Sequence, residues 1–174
     1  GPAWKILYLG DPLLTAGTAA NAGRRTTKPA SITGATPLDE EVAEAARARD
    51  FARAARALVM VGRDADASRL ARSVLVNAPD SFTPEVARAS VMPLYRDEKY
   101  ESMAQAYGRL GRDARRDVVM ADALWHGAGL IAPDRLTPET IETLASNLRR
   151  GQVPYDALRL GEMIKAKSGP AEAG

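Results

Sequence analysis

One stretch recurs along the chain, and it limits the possible folds more than any other feature. It opens with Thr-Pro, runs through a helix-like segment to Arg-Asp or Arg-Gly, and reaches an aromatic residue. The clearest copy has Thr83-Pro84, Arg96-Asp97, Tyr100 and then Gly111-Arg112-Asp113-Ala114. An earlier copy has Thr36-Pro37, Arg49-Asp50, Phe51 and Gly62-Arg63-Asp64-Ala65. A third has Thr137-Pro138, Arg150-Gly151 and Tyr155, and stops before any Gly-Arg-Asp. Phe51 and Tyr100 are 49 positions apart, and so are Gly62 and Gly111. Repetition on this scale marks a solenoid or array, in which each unit buries its apolar face only by stacking on the next.

Each Thr-Pro reads as a helix start. Threonine caps the free N–H groups, proline at the first helical position loses no hydrogen bond, and the acids that follow favour the positive end of the dipole. Asp39, Glu40 and Glu41 follow Pro37, and Glu85 and Glu139 follow the other two prolines. Leu38, Val42 and Ala45 give the first helix one apolar face. A second helix begins at each aromatic: Phe51, Ala54, Ala55 and Leu58 share a face, as do Tyr100, Met103, Ala104 and Tyr107. Gly62 and Gly111 are expected to end those helices in the left-handed conformation. A third helix is expected near Asp64 and again near Asp113. Its stripe is Ala67, Leu70, Ala71 and Val74 in the first copy, echoed by Val119, Ala123 and Leu124 in the second. Gly127 and Gly129 are expected to loosen or end the latter. The last unit offers Ile141, Leu144, Ala145 and Leu148 up to Gly151, then a helix from Pro154 carrying Tyr155, Leu158 and Ile164. Pro93 lies inside the first helix of the middle unit, which should kink or end near Met92.

Side chains are 45% hydrophobic but only 5% aromatic, so alanine and leucine-type residues must fill the core. Alanine favours helices that pack closely. The expectation is an all-α fold: a short α-solenoid of about eight stacked antiparallel helices, with an extended N-terminal arm. Residues 1–36 would form the arm, 37–168 the helical-repeat domain and 169–174 a frayed tail. Gly1-Pro2 looks like a tag scar, which leaves open an N-terminal signal or membrane tether ahead of it. Trp4 to Leu9 is a short apolar run, a single strand or an arm laid on a partner. From Thr15 to Thr36 the residues are mainly Thr, Ala, Gly, Ser and Pro, as in a linker or a recruited binding arm.

The stretch from Ala48 to Ser81 resembles a tetratricopeptide repeat. Phe51 takes the large early position, followed by Leu58, Gly62, the small Ala67, then Ala71 and the closing Pro79. A second register also fits, with Asp50-Phe51 as the pair before the second helix and Ala54 as its small residue. Tyr100 and Tyr107 match the aromatic positions of a further repeat, where Glu98 replaces the usual Gly and Met103 the usual Ala. The resemblance covers about residues 48–112. It implies a right-handed α-solenoid that binds other proteins on its concave face. Three helices per unit is similar to armadillo stacking.

Chemistry is sparse. There is no cysteine, so disulfides, cysteine zinc sites and a cysteine nucleophile are excluded. His126 is the lone histidine, which leaves no second one for a metal cluster; beside Trp125 it reads as packing or capping a helix end. Gly127-Ala128-Gly129 lacks the third glycine of a dinucleotide loop. Glu101-Ser102 is similar to the catalytic pair of lytic transglycosylases, without the continuation that follows it there. Net charge is +2 with acids and bases intermixed, unlike the concentrated charge of a nucleic-acid domain. Each Gly-Arg-Asp-Ala reads as a helix stop followed by a helix start, not an integrin-type motif.

The expected function is a non-catalytic protein-interaction or scaffolding module of a bacterial assembly, with protein partners, no nucleic acid and no cofactor. The alternative is a helical accessory or catalytic domain of a polysaccharide-processing enzyme. Alanine and arginine usage suggests a GC-rich bacterium; the compartment is open between cytoplasm and periplasm, leaning to the latter. The expected partner surface surrounds Tyr95, Arg96, Trp125 and His126, since aromatics and arginine anchor interfaces. Trp125 has a second reading, as filler of the joint between the second and third units.

Overall fold

Every regular element that a computed structural model describes, across residues 37–169, is helical. The Trp4–Leu9 run, the stretch from Thr15 to the Thr36 cap, the Leu38 side chain and the tail beyond Gly169 lie outside the described residues. The α-helices are α1 (Pro37–Arg47), α2 (Phe51–Met60), α3 (Asp64–Asn77), α4 (Pro84–Arg96), α5 (Tyr100–Gly108), α6 (Val118–Ala128), α7 (Pro138–Ala145) and α8 (Val153–Ser168). Short 3-10 turns at Pro79–Ser81, Ala114–Arg116 and Pro133–Arg135 link some of them. Links this short turn each helix back along its predecessor, and neighbours pack in sequence order. Helices two apart also touch: α2 on α4, α4 on α6, and α5 on α7. The helices therefore stack as a helical repeat.

The start signals form as expected where they can be seen. Thr83 accepts from the Val86 N–H at 3.4 Å and Thr137 from the Thr140 N–H at 3.2 Å. The repeat is physical at the corner between its first two helices. The Asp50 N–H donates to the Ala45 carbonyl and the Lys99 N–H to the Leu94 carbonyl, both at 2.9 Å. One residue earlier, Arg49 donates to Ala46 and Glu98 to Tyr95, both at 3.1 Å. This is the Schellman closure of a helix, and it needs a left-handed residue. Arg49 (φ 56°) and Glu98 (φ 58°) supply it, 49 positions apart. Neither is a glycine, although Cβ crowds the carbonyl in that conformation. The positive φ of Glu98 is a conformation that glycine adopts more readily. Glu98→Gly should therefore raise Tm by roughly 2–4 °C, the relieved crowding exceeding the glycine's extra freedom when unfolded. A fall in Tm on calorimetry would show that the corner carries no strain.

Beyond the corner the copies diverge. Gly62 ends α2 in the left-handed region (φ 73°), with the Arg63 N–H on the Leu58 carbonyl at 2.9 Å. Gly111 does not repeat this. α5 stops at Gly108, and the next helix starts at Val118, not near Asp113. The reason is Arg115. Its guanidinium donates to the carbonyls of Gly108 (2.6 Å) and Leu110 (2.9 Å), while the Tyr107 hydroxyl donates to the Arg115 carbonyl at 3.0 Å. These bonds satisfy the end of α5 and hold the chain in the 3-10 turn. The first copy has Leu58 and Asp66 at the matching positions and has no such clamp. Asp117 then caps α6, accepting from the Val119 and Met120 N–H groups.

Three further expectations differ from the structure in part. α4 does not end at Met92 but continues through Pro93 to Arg96. Proline removes only its own donor; its carbonyl still accepts from the Asp97 N–H at 3.0 Å, and burial of the ring holds the segment in place. α6 continues through Gly127 but ends at Ala128 with Gly129 as its C-cap, as expected of the second glycine; Gly127 serves close approach, since a Cβ there would lie 2.6 Å from the Met103 Cε and 2.8 Å from the Tyr100 Cδ1. α7 stops at Ala145, well before Gly151, for reasons given below.

The core runs through Val91, Leu94, Met103, Tyr107, Leu124 and Trp125. Leu58, Tyr107 and Leu144 are buried as expected. Phe51, Tyr100 and Leu148 are half-buried and line its edge. Alanines at contact points, such as Ala54, Ala67 and Ala71, are almost wholly enclosed.

Candidate functional site

The four residues expected to form a partner surface part company. Tyr95, near the end of α4, and His126 on α6 meet: the Tyr95 hydroxyl lies 2.9 Å from His126 Nδ1, and the rings stand edge to face at 5.8 Å. Tyr100 joins them at 6.1 Å from Tyr95. His126 is exposed and Tyr95 half-buried. Arg96 is exposed too, but turns to Asp64 at 3.1 Å. Trp125 is not an exposed anchor; it has 0% exposure and fills the joint between units. A single residue step separates solvent from core on α6, and Trp125 falls on the inner side. Glu101, the residue like a transglycosylase acid, is a surface glutamate paired with Arg135 at 2.9 Å.

Trp125 leads to a different place. Its indole Nε1 donates to the Asn147 carbonyl at 2.9 Å, and the Asn147 amide donates to the Thr143 carbonyl at 2.6 Å. These bonds take the chain out of α7 and into the loop 146–152. Arg149 then anchors that loop. Its guanidinium lies 5.6 Å from the Trp125 ring centroid and donates to Asp156 (2.5 Å from Nη2) and Asp122 (2.8 Å from Nη1). The Arg149 backbone N–H also donates to Asp156 at 2.8 Å.

Asp156 is the one wholly buried carboxylate among the described residues. Burial pushes its pKa up, but the hydrogen bonds from Arg149 outweigh that and hold it below the ordinary range. Arg149 in turn is held protonated more firmly than a free arginine, chiefly by the hydrogen bond to Asp156.

The anchored loop forms one wall of a cleft of about 930 Å³. Arg149 and Arg150 on that loop line it, and so do Arg112, Arg115 and Arg116 on the segment leading into α6. Leu110 and Leu148 give the cleft an apolar lining, and Val118, strongly exposed, adds to it. The one carboxylate on the walls, Asp122, already accepts from Arg149. Arg115 is held by backbone carbonyls. Arg112, Arg116 and Arg150 are exposed and make no ion pair among the described residues.

Reading the sequence did not single out this cleft. The signal available was the close spacing of Arg112, Arg115 and Arg116 together with the Arg149-Arg150 pair. Nothing in linear order shows that packing of α5 on α6 and α7 brings the two groups to the lining of one cleft.

Among the described residues, no group of three acidic, histidine or cysteine side chains is placed to hold a metal ion. No described helix is long and apolar enough to cross a membrane. Comparison with protein-family models, with curated proteins and with solved structures finds no match to the chain.

Proposed function

We propose that the chain is a non-catalytic interaction module, a short right-handed, tetratricopeptide-like α-solenoid that scaffolds a bacterial assembly by holding a protein segment in the cleft beside the 146–152 loop. The observation that carries this reading is the character of the cleft. It is lined in part by aliphatic side chains and bordered mainly by arginines, with Asp122 as its one carboxylate. Enclosure of a peptide side chain needs an apolar lining with a few placed polar groups. The polysaccharide-processing alternative needs two carboxylates flanking a bond. The cleft has one on its walls, and Arg149 occupies it. The small contact residues Ala54, Ala67 and Ala71 support the tetratricopeptide likeness, since they sit enclosed between helices.

A photocrosslinking residue at Val118, beside the cleft, tests the proposal in cells carrying the native gene. A discrete protein adduct is expected there and none from Met60, an exposed position on α2. Equal adducts from both positions, or none from either, would remove the cleft as an interaction site.

A further inference from the structure

The partner's chemistry follows from the same cleft, and the argument rests on the interaction reading above. Five arginines border it, but they are not equivalent. Arg149 is bound to Asp122 and Asp156, and Arg115 holds the carbonyls at the end of α5. Nearby acids do not offset the rest. Asp117 turns its carboxylate to the N–H groups that start α6, and Asp113 is not on the cleft wall. Arg112, Arg116 and Arg150 therefore remain as exposed guanidinium groups around an aliphatic lining.

We infer that the cleft receives an acidic protein segment, with an aliphatic side chain entering against Leu110, Val118 and Leu148 and carboxylates meeting Arg112, Arg116 and Arg150. Guanidinium presents paired donors in a plane that matches a carboxylate, so arginine suits this recognition better than lysine would. The lining argues for peptide over nucleic acid. Single-stranded nucleic acid is held by aromatic platforms along a basic track, and the cleft has no aromatic on its walls.

Binding of fluorescein-labelled peptides to the whole chain, followed by anisotropy, tests the inference. A peptide alternating glutamate and leucine is expected to bind. A lysine–leucine peptide should not, and a glutamate–serine peptide should bind roughly tenfold more weakly. The variant with Arg112→Glu, Arg116→Glu and Arg150→Glu should lose at least about tenfold in affinity, with Arg69→Glu on α3 as the control. A milder set, Arg112→Gln, Arg116→Gln and Arg150→Gln, should lose less, and circular dichroism confirms that each variant folds. Equal affinity for the lysine peptide, no loss in folded variants, or no binding of the acidic peptide up to millimolar protein would overturn the inference. So would preference for labelled oligothymidine, which would make the cleft a nucleic-acid site. If Val118 crosslinks a protein yet the acidic peptide does not bind, the interaction module stands and only its acidic partner falls.

Discussion

Arg149→Ala should destabilise the protein by about 3–5 kcal/mol, because it strands a buried carboxylate. Asp156 has no water to turn to, and Arg149 supplies both its guanidinium and backbone hydrogen bonds. The backbone bond alone cannot hold a full charge out of water. Urea unfolding measures the loss. The pH dependence separates this cause from simple truncation. In the native protein the Asp156 pKa is depressed, so its stabilisation is present above the unfolded carboxylate value near 3.9 and is lost as pH falls through the folded value. In the variant the stranded carboxyl is pushed upward instead, so protonation relieves it. The gap between the two proteins should therefore begin to narrow as pH falls through the variant's raised carboxyl value, above about 4, and narrow further below it as the native protein loses its own stabilisation. A gap constant with pH would mean that Arg149 acts by packing alone. Arg149→Met with Asp156→Leu should recover much of the loss, since a buried pair is often matched by apolar residues of similar size.

Trp125→Ala is expected to cost a similar amount, about 3–5 kcal/mol. It opens a cavity where α6 meets α5 and the loop, and it leaves the Asn147 carbonyl without its donor. Trp125→Phe keeps most of the volume and loses the indole N–H, so it should cost about 1–3 kcal/mol. Because Trp125 and Arg149 stack and fix the same loop, their effects should not add. Fluorescence gives an independent check. With Trp4→Phe, the remaining emission should be blue and resistant to iodide. Red, readily quenched emission would contradict burial.

The parts of the fold that the sequence made legible are those governed by a few adjacent residues. Thr83-Pro84 and Thr137-Pro138 start helices because capping is local chemistry. The apolar stripes through Leu58, Tyr107 and Leu144 point inward because helical spacing fixes a face. Longer-range choices were hidden. Nothing near Gly111 announces that the Arg115 side chain will reach back to Gly108 and Leu110 and delay the next helix to Val118. The left-handed turns at Arg49 and Glu98 carry no glycine to mark them. Of the expected partner residues, Tyr95 and His126 do meet at the surface, but Trp125 turns inward. Trp125 and His126 are adjacent, and only the neighbours of α6 decide which of them faces solvent. The cleft depends on residues far apart in the chain, which helix packing brings to one lining.

The two kinds of arginine at the cleft respond differently to their solvent. Arg112, Arg116 and Arg150 stand in water, where mobile ions gather and shorten the reach of their charge to about 8–10 Å at ordinary ionic strength. The bond between Arg149 and Asp156 lies where those ions cannot enter. Concentrated salt should thus weaken the hold of the cleft on the acidic segment proposed for it, while the 146–152 wall stays in position.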